Sequence, residues 1–378
     1  MRVCLFEWNA GGHHDFYAQA FADALTPQAE VVLAASEPLL ENFDNPAVEV
    51  HSLGQARPRP GPGYGLDKAS LAKREIELLR SAIAASNPDH AVVLFADPVL
   101  RWLAASPPFS CKISIFIMFA TAHFPRAYGL RLSPRERASA LFKELNIRRW
   151  RRRKDAHELF GLDAEAVESW QRRPGAAARW LPEPRLETEP PRVPTADKHG
   201  CFMFGHIDER KGIDRLGAAL AQGCSGLELT LSGAVAPDYL DRLEAELATL
   251  RTAGIHLDTD FRRVPYADAM ARMASSRCAL LSFGWRPSGS RVLLEAAVAG
   301  TPVVVGNDSA VGRLVERHGL GLTADPTDPN ALRAAILALA GDPGAPDRYS
   351  ENLRRYAEEL HGDRFPREVR NAFSPGRA

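Results

Sequence analysis

The sequence predicts an α/β protein of two domains, each built on a parallel sheet that is covered by helices. The chain has 378 residues, which suits two domains of about 180 residues each. Short apolar runs rich in branched side chains alternate with helix-length amphipathic segments, and this alternation is typical of parallel β-α-β units. A Pro-rich stretch, LPEPRLETEPPRVPTADKHG from Leu181 to Gly200, has the composition of a semi-rigid linker.

Eight apolar runs predict strands, and each half of the chain holds four of them. In chain order they are RVCLFE, EVVLAAS, AVVLFA, KISIFIMFA, GCFMFG, LELTLSG, CALLSF and TPVVVG. Each half opens with a strand that leads into a glycine turn, CLFEWNAGG in the first and CFMFGHIDERKG in the second. Ligand sites of open parallel sheets lie beyond the carboxyl ends of the strands. We therefore expect both turns to border one cleft between domains at residues 1–190 and 195–350.

The composition excludes several classes of protein. The formal net charge is +0, which argues against bulk attraction to nucleic acid. The start of the chain lacks the long apolar segment of a signal peptide, and no apolar run has the length of a membrane span, so a cytoplasmic protein is expected. The five cysteines are scattered without C-x-x-C spacing, which predicts neither disulfides nor a cysteine metal site. The run HLDTD, His256 to Asp260, is interpreted as the exposed face of a strand.

Cations gather in the loop FGHIDERKGIDRL, which leads into a helix. His206, Arg210 and Lys211 precede Gly212, after which apolar residues recur at helical spacing. Cations beside the free amides of a helix N-terminus form a natural anion site. A solvated charged loop with a glycine turn explains the same residues, and the loop alone leaves both interpretations open.

A second anion site is indicated by SFGWRPSGSRVLLEAAVAG. The small residues Ser288 to Ser290 allow close approach to the backbone, and a helix is predicted from Arg291. Glu295 follows one turn later, where its carboxylate could accept hydrogen bonds from ribose hydroxyls while the amides hold a phosphate. The alternative is an ordinary helix glutamate paired with Arg291 four residues earlier.

The order of these segments resembles the C-terminal domain of the retaining nucleotide-sugar glycosyltransferases of family 4, which have the GT-B fold. The resemblance extends from Phe202 to about Pro326 and is weaker in the N-terminal half, where AGGHH and FATAHF carry it. It implies two Rossmann-like domains facing each other across a cleft. It also implies that helices in residues 351–378 cross back to the N-terminal domain.

The resemblance also implies roles for individual residues of the second domain. Lys211 matches the lysine that neutralises the donor diphosphate, and Glu295 matches the glutamate that holds the ribose. His206 stands where the family has an arginine, and Pro287 stands where it has a further glutamate. The predicted donor-binding set is completed by Arg291, Val292, Ser290, Gly289, Arg263, Val264 and, from the first domain, Gly12.

In the first domain, Gly11 and Gly12 resemble the glycine loop that admits the diphosphate and the acceptor. One of His13 and His14 is a candidate for the acceptor side, although histidines at a helix start also occur without function. His123 in FATAHF resembles the histidine that touches the donor sugar, so it joins Lys211 and His206 as a predicted catalytic residue. A polar residue that caps the strand is the alternative for His123.

The basic run KELNIRRWRRRKDAHELF places Arg148 to Lys154 around Trp150 in a predicted helix. Such a cluster beside an interfacial tryptophan could bind anionic lipid head groups or a phosphorylated acceptor. The alternative is a solvated helix face.

The resemblance implies transfer of a sugar from a UDP- or GDP-linked donor to a hydroxyl or amine, with retention of configuration and without a metal or other cofactor. The acceptor is a glycan, a lipid-linked molecule or a small molecule, and no nucleic acid partner is expected. The protein would be cytoplasmic, with weak contact to the inner face of the membrane. Two alternatives stay open: a non-catalytic nucleotide-sugar-binding protein of the same fold, and a two-lobed solute-binding protein.

Overall fold

The computed structural model describes residues 1–58, 67–184, 189–221, 224, 226–262, 264–284, 290–360 and 362–374. By its internal contacts the chain forms two compact units, Met1–Pro184 with Asp363–Ala378, and Arg185–Gly362. The change from one unit to the other falls within the Pro-rich stretch from Leu181 to Gly200. Each unit contains one parallel sheet, which is the architecture that the alternating apolar runs predict.

The first unit has a seven-stranded parallel sheet in the order β3-β2-β1-β4-β5-β6-β7. Its strands are β1 Arg2–Glu7, β2 Glu30–Ala35, β3 Glu49–Ser52, β4 His90–Val93, β5 Lys112–Ile117, β6 Ala156–Gly161 and β7 Ala177–Trp180. Its helices up to the linker are α1 His13–Leu25, α2 Glu37–Leu40, α3 Lys68–Ser86, α4 Leu100–Ala105, α5 Phe124–Tyr128, α6 Pro134–Arg151 and α7 Ala164–Gln171, with a short 3₁₀ helix at Thr121–His123.

The second unit has a six-stranded parallel sheet in the order β10-β9-β8-β11-β12-β13. Its strands are β8 His199–Phe204, β9 Glu228–Ser232, β10 His256–Asp260, β11 Ser276–Leu280, β12 Val303–Gly306 and β13 Gly321–Ala324. Its helices are α8 Ile213–Leu220, α9 Leu240–Thr252, α10 Tyr266–Ser275, α11 Arg291–Val298, α12 Ala310–His318, α13 Pro329–Ala340 and α14 Ala345–Leu360. Three short 3₁₀ helices lie at Thr195–Asp197, Glu209–Lys211 and Pro237–Tyr239.

The end of the chain is divided between the two units. Helix α14 packs against α11 within the second unit. The chain rejoins the first unit at Asp363, and the last helix, α15 Arg364–Ala372, packs against α1. Buried Phe365 and Val369 anchor α15 on the core of that unit.

The central strands of both sheets are buried on both faces, which explains why β1 and β8 are apolar along most of their length. In β1, Cys4 and Phe6 belong to one core cluster, whereas Val3 and Leu5 belong to the cluster on the opposite face. In β8 the same alternation separates Cys201 and Met203 from Phe202. Successive side chains of a strand point to opposite faces, so each unbroken apolar run supplies two cores at once.

The eight predicted strands are all present, and the run RVCLFE matches β1 at both ends, whereas the ends of others differ. The run CALLSF, for example, forms a strand only as far as Leu280. Within the basic run, the predicted helix ends at Arg151, and the residues from Ala156 form β6 instead. This correction has a local cause, because Arg152 to Asp155 form the turn that connects α6 to the strand.

Candidate functional site

The cationic loop of the second unit is held against the end of β11 by backbone contacts. The amide of Phe283 donates to the carbonyl of Lys211 at 3.1 Å, and the amide of Gly284 donates to the carbonyl of Arg210 at 3.1 Å. Gly212 has a φ of 69°, and a Cβ there would lie 2.6 Å from the Gly284 amide nitrogen. Only glycine allows this approach, so the cationic loop lies beside Phe283 and Gly284, the described start of the second loop predicted to bind an anion.

Lys211 is buried at the base of this loop. Its side chain is 8% exposed, and its ammonium group donates to the carbonyl of Phe204 at the end of β8. Burial lowers the pKa of Lys211 to about 8, although the carboxylates of Glu295 and Asp208 act in the opposite direction. A buried cation of this kind is desolvated, and an anion that reached it would be bound more strongly than by a lysine in water.

Helix α11 carries Glu295, whose carboxylate interacts electrostatically with this lysine. The Ser290 hydroxyl caps the helix by accepting a hydrogen bond from the Leu293 amide at 3.2 Å. No carbonyl within α11 can accept from the amides of Arg291 and Val292, because they lie in the first turn. These two amides are therefore placed to donate to an anion at the helix N-terminus, while the Ser290 oxygen serves the helix itself.

Glu295 lies within α11 and is 2% exposed. Its Oε1 accepts from Arg291 Nε at 3.0 Å, so the i,i+4 pair expected as the alternative does form. Its Oε2 is buried and has no hydrogen-bond partner among the described residues. Burial raises the pKa of Glu295, and Arg291, the neighbouring Tyr266 phenol and Lys211 oppose the shift. One oxygen is thus fixed by the helix, and the other is an unused buried acceptor.

Tyr266, the first residue of α10, completes this cluster and was not predicted from the sequence. The guanidinium of Arg291 lies over its ring, 5.4 Å from the centroid. Burial and the Glu295 carboxylate raise the pKa of its phenol. The phenol oxygen therefore lies near that carboxylate, although it forms no hydrogen bond of good geometry in the described part of the chain. Its position after the FRRVP segment gave no signal, because contact with α11 depends on tertiary packing.

His206 differs from the buried Lys211 in its surroundings. Its ring is more than a third exposed, and Nε2 lies 3.9 Å from Asp208 Oδ2. The Asp208 carboxylate also accepts from Arg210 Nε at 2.8 Å. Burial raises the pKa of Asp208, but the Arg210 guanidinium outweighs it and holds that pKa below its ordinary value. The cationic loop therefore carries its own counter-charge, and Lys211 is its buried cation.

Several predicted donor-site residues cannot be placed. Gly289 and Arg263 lie outside the described residues, as do Pro287 and Ser288. Val264 is half-buried and precedes α10 by two residues. The predicted roles of these residues stay predictions.

In the first unit, the predicted glycine loop has the backbone conformation that only glycine adopts readily. Gly11 has a φ of 84° and Gly12 a φ of 61°, and a Cβ at either would meet nothing within 4 Å. The Gly11 amide donates to Asp15 Oδ1 at 2.7 Å. The loop is therefore open at its surface, and its positive φ angles rather than steric crowding account for the glycines.

The two adjacent histidines have different environments. His14 Nδ1 lies 3.0 Å from Glu7 Oε2, and Glu7 is buried at the end of β1. Burial lowers the pKa of His14, but the Glu7 carboxylate outweighs it and raises that pKa above its ordinary value. His13 is exposed, with its ring centroid 4.2 Å from that of His14. His14 is thus the histidine with a fixed orientation.

Glu7 belongs to a buried polar network that sequence reasoning missed. Its Oε1 accepts from both the amide and the side chain of Asn9, at 2.8 and 2.7 Å. Nearby, Glu75 on α3 accepts from Arg57 Nε at 2.8 Å, and burial raises the pKa of Glu75 to about 7. Glu7 is the last residue of the apolar strand RVCLFE. An acidic residue at the end of such a strand is the one signal in the sequence that could have indicated it.

His123 ends the 3₁₀ helix that follows β5. Its Nε2 lies 3.1 Å from Asp163 Oδ1. Asp163 also caps α7 through the Ala166 amide at 3.0 Å and accepts from the Tyr128 hydroxyl at 2.9 Å. The carboxylate therefore lies beside this histidine on the same unit, while the buried Nε2 makes no hydrogen bond among the described residues.

The basic run from Arg148 to Lys154 does not form the predicted cluster of cations around an interfacial tryptophan. Trp150 is fully buried in the core of the first unit. Arg151 donates to the carbonyls of Trp170, Arg173 and Ala176, and Arg153 forms an ion pair with Asp155 at 2.7 Å. Trp150 therefore cannot anchor the protein at an interface, and two of the cations stabilise the fold.

Metal and membrane-spanning features are absent from the described residues. No group of three or more His, Cys, Asp or Glu side chains there is arranged to hold a metal ion. In the segment HLDTD, which forms β10, Asp260 pairs with Arg262 and Arg272. None of the described helices combines the length and the hydropathy needed to cross a bilayer.

Comparison with known proteins finds a family model that is similar to part of the chain. Residues 188–357 match the family model of glycosyl transferases group 1, and Lys211 and Glu295 lie within this region. The chain is 30% identical over 186 residues to the glycogen synthase of Mycobacterium tuberculosis strain H37Rv, covering 47% of this chain and 41% of that protein. The chain thus aligns with less than half the length of this curated relative.

Two solved structures are similar over nearly the whole chain. Sucrose-phosphate synthase from Thermosynechococcus elongatus is 18% identical with a TM-score of 0.69, covering 97% of this chain and 96% of that one. HepE of Anabaena in complex with UDP and glucose is 14% identical with a TM-score of 0.67, covering 98% and 96%. These similarities establish the fold, and the prediction of two Rossmann-like domains of the GT-B class is confirmed.

Proposed function

We propose that this chain transfers a sugar from a nucleoside diphosphate sugar to an acceptor hydroxyl or amine. The observation that carries the proposal is the meeting of buried Lys211 and buried Glu295 beside the N-terminus of α11. A lysine and amides suit a diphosphate, and a carboxylate with one unused oxygen suits a ribose. The match of residues 188–357 to group 1 glycosyl transferases supports this assignment.

Lys211 and the first-turn amides of α11 would stabilise the departing diphosphate. The pKa of Lys211 is about 8 in the ligand-free protein, and a diphosphate beside it would raise that pKa and keep the ammonium charged. The amides of Arg291 and Val292 would donate to the same anion. Such fixed donors favour the transition state, in which charge develops on the leaving group.

Glu295 would select for a nucleotide rather than a bare diphosphate. Arg291 holds Oε1, so Oε2 keeps one orientation and can accept from a ribose hydroxyl. Tyr266, packed under the Arg291 guanidinium, would support this arrangement. UDP is the first candidate, because HepE, which has a similar fold, was solved with UDP. GDP is the second candidate.

The transfer itself would need no covalent enzyme intermediate. The bond between the anomeric carbon and the diphosphate oxygen breaks, and a bond to the acceptor oxygen or nitrogen forms on the same face of the sugar. The acceptor proton passes to the departing diphosphate. The family resemblance supports retention of configuration. Lys211 and the amides would supply the positive charge in place of a metal. His206 and His123 would be further polar groups toward the donor.

On the acceptor side, the Gly11–Gly12 loop would allow close approach to the backbone, and His14 rather than His13 would meet the acceptor. The Glu7 carboxylate fixes one ring nitrogen of His14, which leaves the ring in a defined orientation. The acceptor is a glycan, a lipid-linked molecule or a small molecule. The protein would act in the cytoplasm, and a nucleotide sugar would be its co-substrate.

The first test measures ligand binding to the purified full chain. UDP, GDP, ADP, TDP and inorganic pyrophosphate are titrated by calorimetry, and the wild type is compared with Glu295→Gln and Lys211→Ala. We expect one nucleoside diphosphate to bind in preference to the others. Glu295→Gln should weaken it about tenfold to hundredfold, since a charged hydrogen bond is lost, while pyrophosphate binding should change little. Lys211→Ala should weaken both ligands.

Glu228→Gln is the matched control. Glu228 is an exposed glutamate at the start of β9, at the opposite end of the strands from Lys211, and its loss should leave affinity unchanged. Equal affinity of wild type and Glu295→Gln for every nucleotide would contradict the ribose role. Tight nucleotide binding without release of diphosphate from the UDP- or GDP-sugars, with candidate acceptors present, would favour the non-catalytic alternative.

A further inference from the structure

The outer face of α6 in the first unit presents an apolar cluster to solvent. Leu141, Phe142 and Leu145 are 63%, 50% and 60% exposed. They are three of the seven large apolar side chains that are exposed in the described part of the chain. Phe142 directly follows Leu141, and Leu145 comes one helical turn after Leu141, so the three side chains lie on one side of the helix. Such a concentration is unusual on a solvated surface.

Arginines surround this cluster at both ends of the helix. At about 100° per residue, Arg135 and Arg149 project within roughly 80° of Leu145, and Arg152 is the first residue after the helix. All three are exposed, and none forms an ion pair with another described residue. On the neighbouring helix α4, Arg101 lies with its guanidinium 5.4 Å from the centroid of the Phe142 ring, and it adds a further cation to the same surface.

The acids of α6 do not neutralise this face. The side chain of Glu136 turns back to the Ser133 amide at the helix N-terminus, at 2.7 Å. Glu144 is buried, where it accepts from Trp170 Nε1 at 3.1 Å and pairs with Arg173 and Arg148. The exposed face therefore combines an apolar centre with unneutralised positive charge at its ends.

We infer that this face of α6, defined by Leu141, Phe142, Leu145 and the surrounding arginines, docks the first unit on an anionic lipid surface. A helix with a cationic, partly apolar face lies in the plane of the bilayer interface, with its apolar side chains among the acyl chains and its cations at the head groups. Charge complementarity selects this occupant, because the arginines would repel one another at a contact with a second copy of the same face.

The proposed membrane contact lies at a different place on α6 from the contact that the sequence predicts. The sequence suggested Trp150 and the whole run Arg148 to Lys154, but Trp150, Arg151 and Arg153 serve the fold. The docking face begins further toward the N-terminus of α6, where no basic run marks it. Docking involves the first unit alone, so it stands or fails independently of the proposed transfer reaction.

The test is co-sedimentation of the full chain with vesicles. Vesicles of phosphatidylcholine are compared with vesicles of equal parts phosphatidylcholine and phosphatidylglycerol. We expect binding to the anionic vesicles that is at least about tenfold stronger, and that weakens as salt is raised. Leu141→Ser, Phe142→Ser and Leu145→Ser together should reduce the partition coefficient about tenfold or more, because the apolar contribution is removed.

Two charge-reversal variants separate this face from general basicity. Arg149→Glu with Arg152→Glu should lower the partition coefficient at least about tenfold. The control variant, Arg74→Glu with Arg172→Glu, makes the same change in charge away from this face. Arg74 is an exposed residue of α3, and Arg172 is the exposed residue that follows α7. This variant should retain most of the binding to vesicles. The far-ultraviolet circular dichroism spectrum and the midpoint of thermal unfolding should be unchanged in all three variants, which would show that they are folded.

Three results would overturn the inference. The first is an absence of binding to either kind of vesicle. The second is an equal loss of binding in the two charge-reversal variants. The third is a wild-type dimer in solution that the apolar triple variant converts to monomers, because the face would then be an interface between copies of the chain.

Discussion

Raising the pH should weaken the binding of a nucleoside diphosphate through a single group, Lys211. Burial lowers the pKa of this lysine to about 8 from an ordinary value of 10.5, so it loses its proton within a pH range that the protein is expected to tolerate. The bound diphosphate requires the charged form. Binding therefore takes up a proton whenever the ligand-free lysine is neutral.

The size of the effect follows from the pKa. With a value of about 8, roughly nine in ten molecules carry the ammonium at pH 7, but only about one in eleven does so at pH 9. Affinity should therefore fall about tenfold between these two pH values, which corresponds to about 1.4 kcal/mol. The phosphate groups add no comparable slope, because their last protons are lost near pH 6.

Titration calorimetry with UDP at pH 7, 8 and 9, at constant ionic strength, measures this slope. At pH 8, measurements in buffers of different ionisation enthalpy should show uptake of about half a proton per bound UDP. Lys211→Arg should bind with little dependence on pH, because a guanidinium stays charged throughout. If UDP is not the preferred ligand, the nucleotide found by the binding screen takes its place.

Lys198 is the matched control, because its pKa is also lowered to about 8 by burial. It lies at the other end of α11, where it donates to the carbonyls of Ala299 and Gly300. Lys198→Met should keep the slope of the wild type. A wild-type affinity that is constant from pH 7 to 9, or a slope that survives in Lys211→Ala, would refute the reasoning.

Three further predictions concern stability. Trp150→Ala should lower the free energy of unfolding by about 3–5 kcal/mol, measured by urea denaturation, because the side chain is fully buried; a change below about 1 kcal/mol would contradict its place in the core. Gly233→Ala should destabilise the second unit by several kcal/mol in the same assay, since a Cβ there would lie 2.0 Å from the Gly205 carbonyl oxygen, and an unchanged midpoint would show that this contact is absent. Burial raises the pKa of Glu75 from 4.5 to about 7, so the free energy of unfolding of the wild type falls as the pH rises through that range. The free energy of unfolding of Glu75→Gln should therefore rise by about 3 kcal/mol relative to that of the wild type between pH 4.5 and 7.5. A difference that is constant with pH would show that Glu75 ionises normally.

Local patterns were enough to predict the strands at the centre of each sheet. Both faces of β1 and β8 are buried, so each must be apolar throughout, and that requirement is visible in a single sequence. The four-residue strands β3, β7 and β13 were not predicted, because they lie at sheet edges and carry exposed or half-buried residues. Strand β6 was missed because its histidine and glutamate extend a charged run.

The sequence by itself determined the two-sheet fold and the residue types of the candidate donor site, since Lys211 and Glu295 each follow a recognisable strand and loop. Only the tertiary structure decided which oxygen of Glu295 is unused, which of two adjacent histidines is held by Glu7, and whether Trp150 faces a membrane or the core. These properties depend on contacts between segments far apart in the chain. Burial and charge pairing act through distance in space, and a single sequence does not contain those distances.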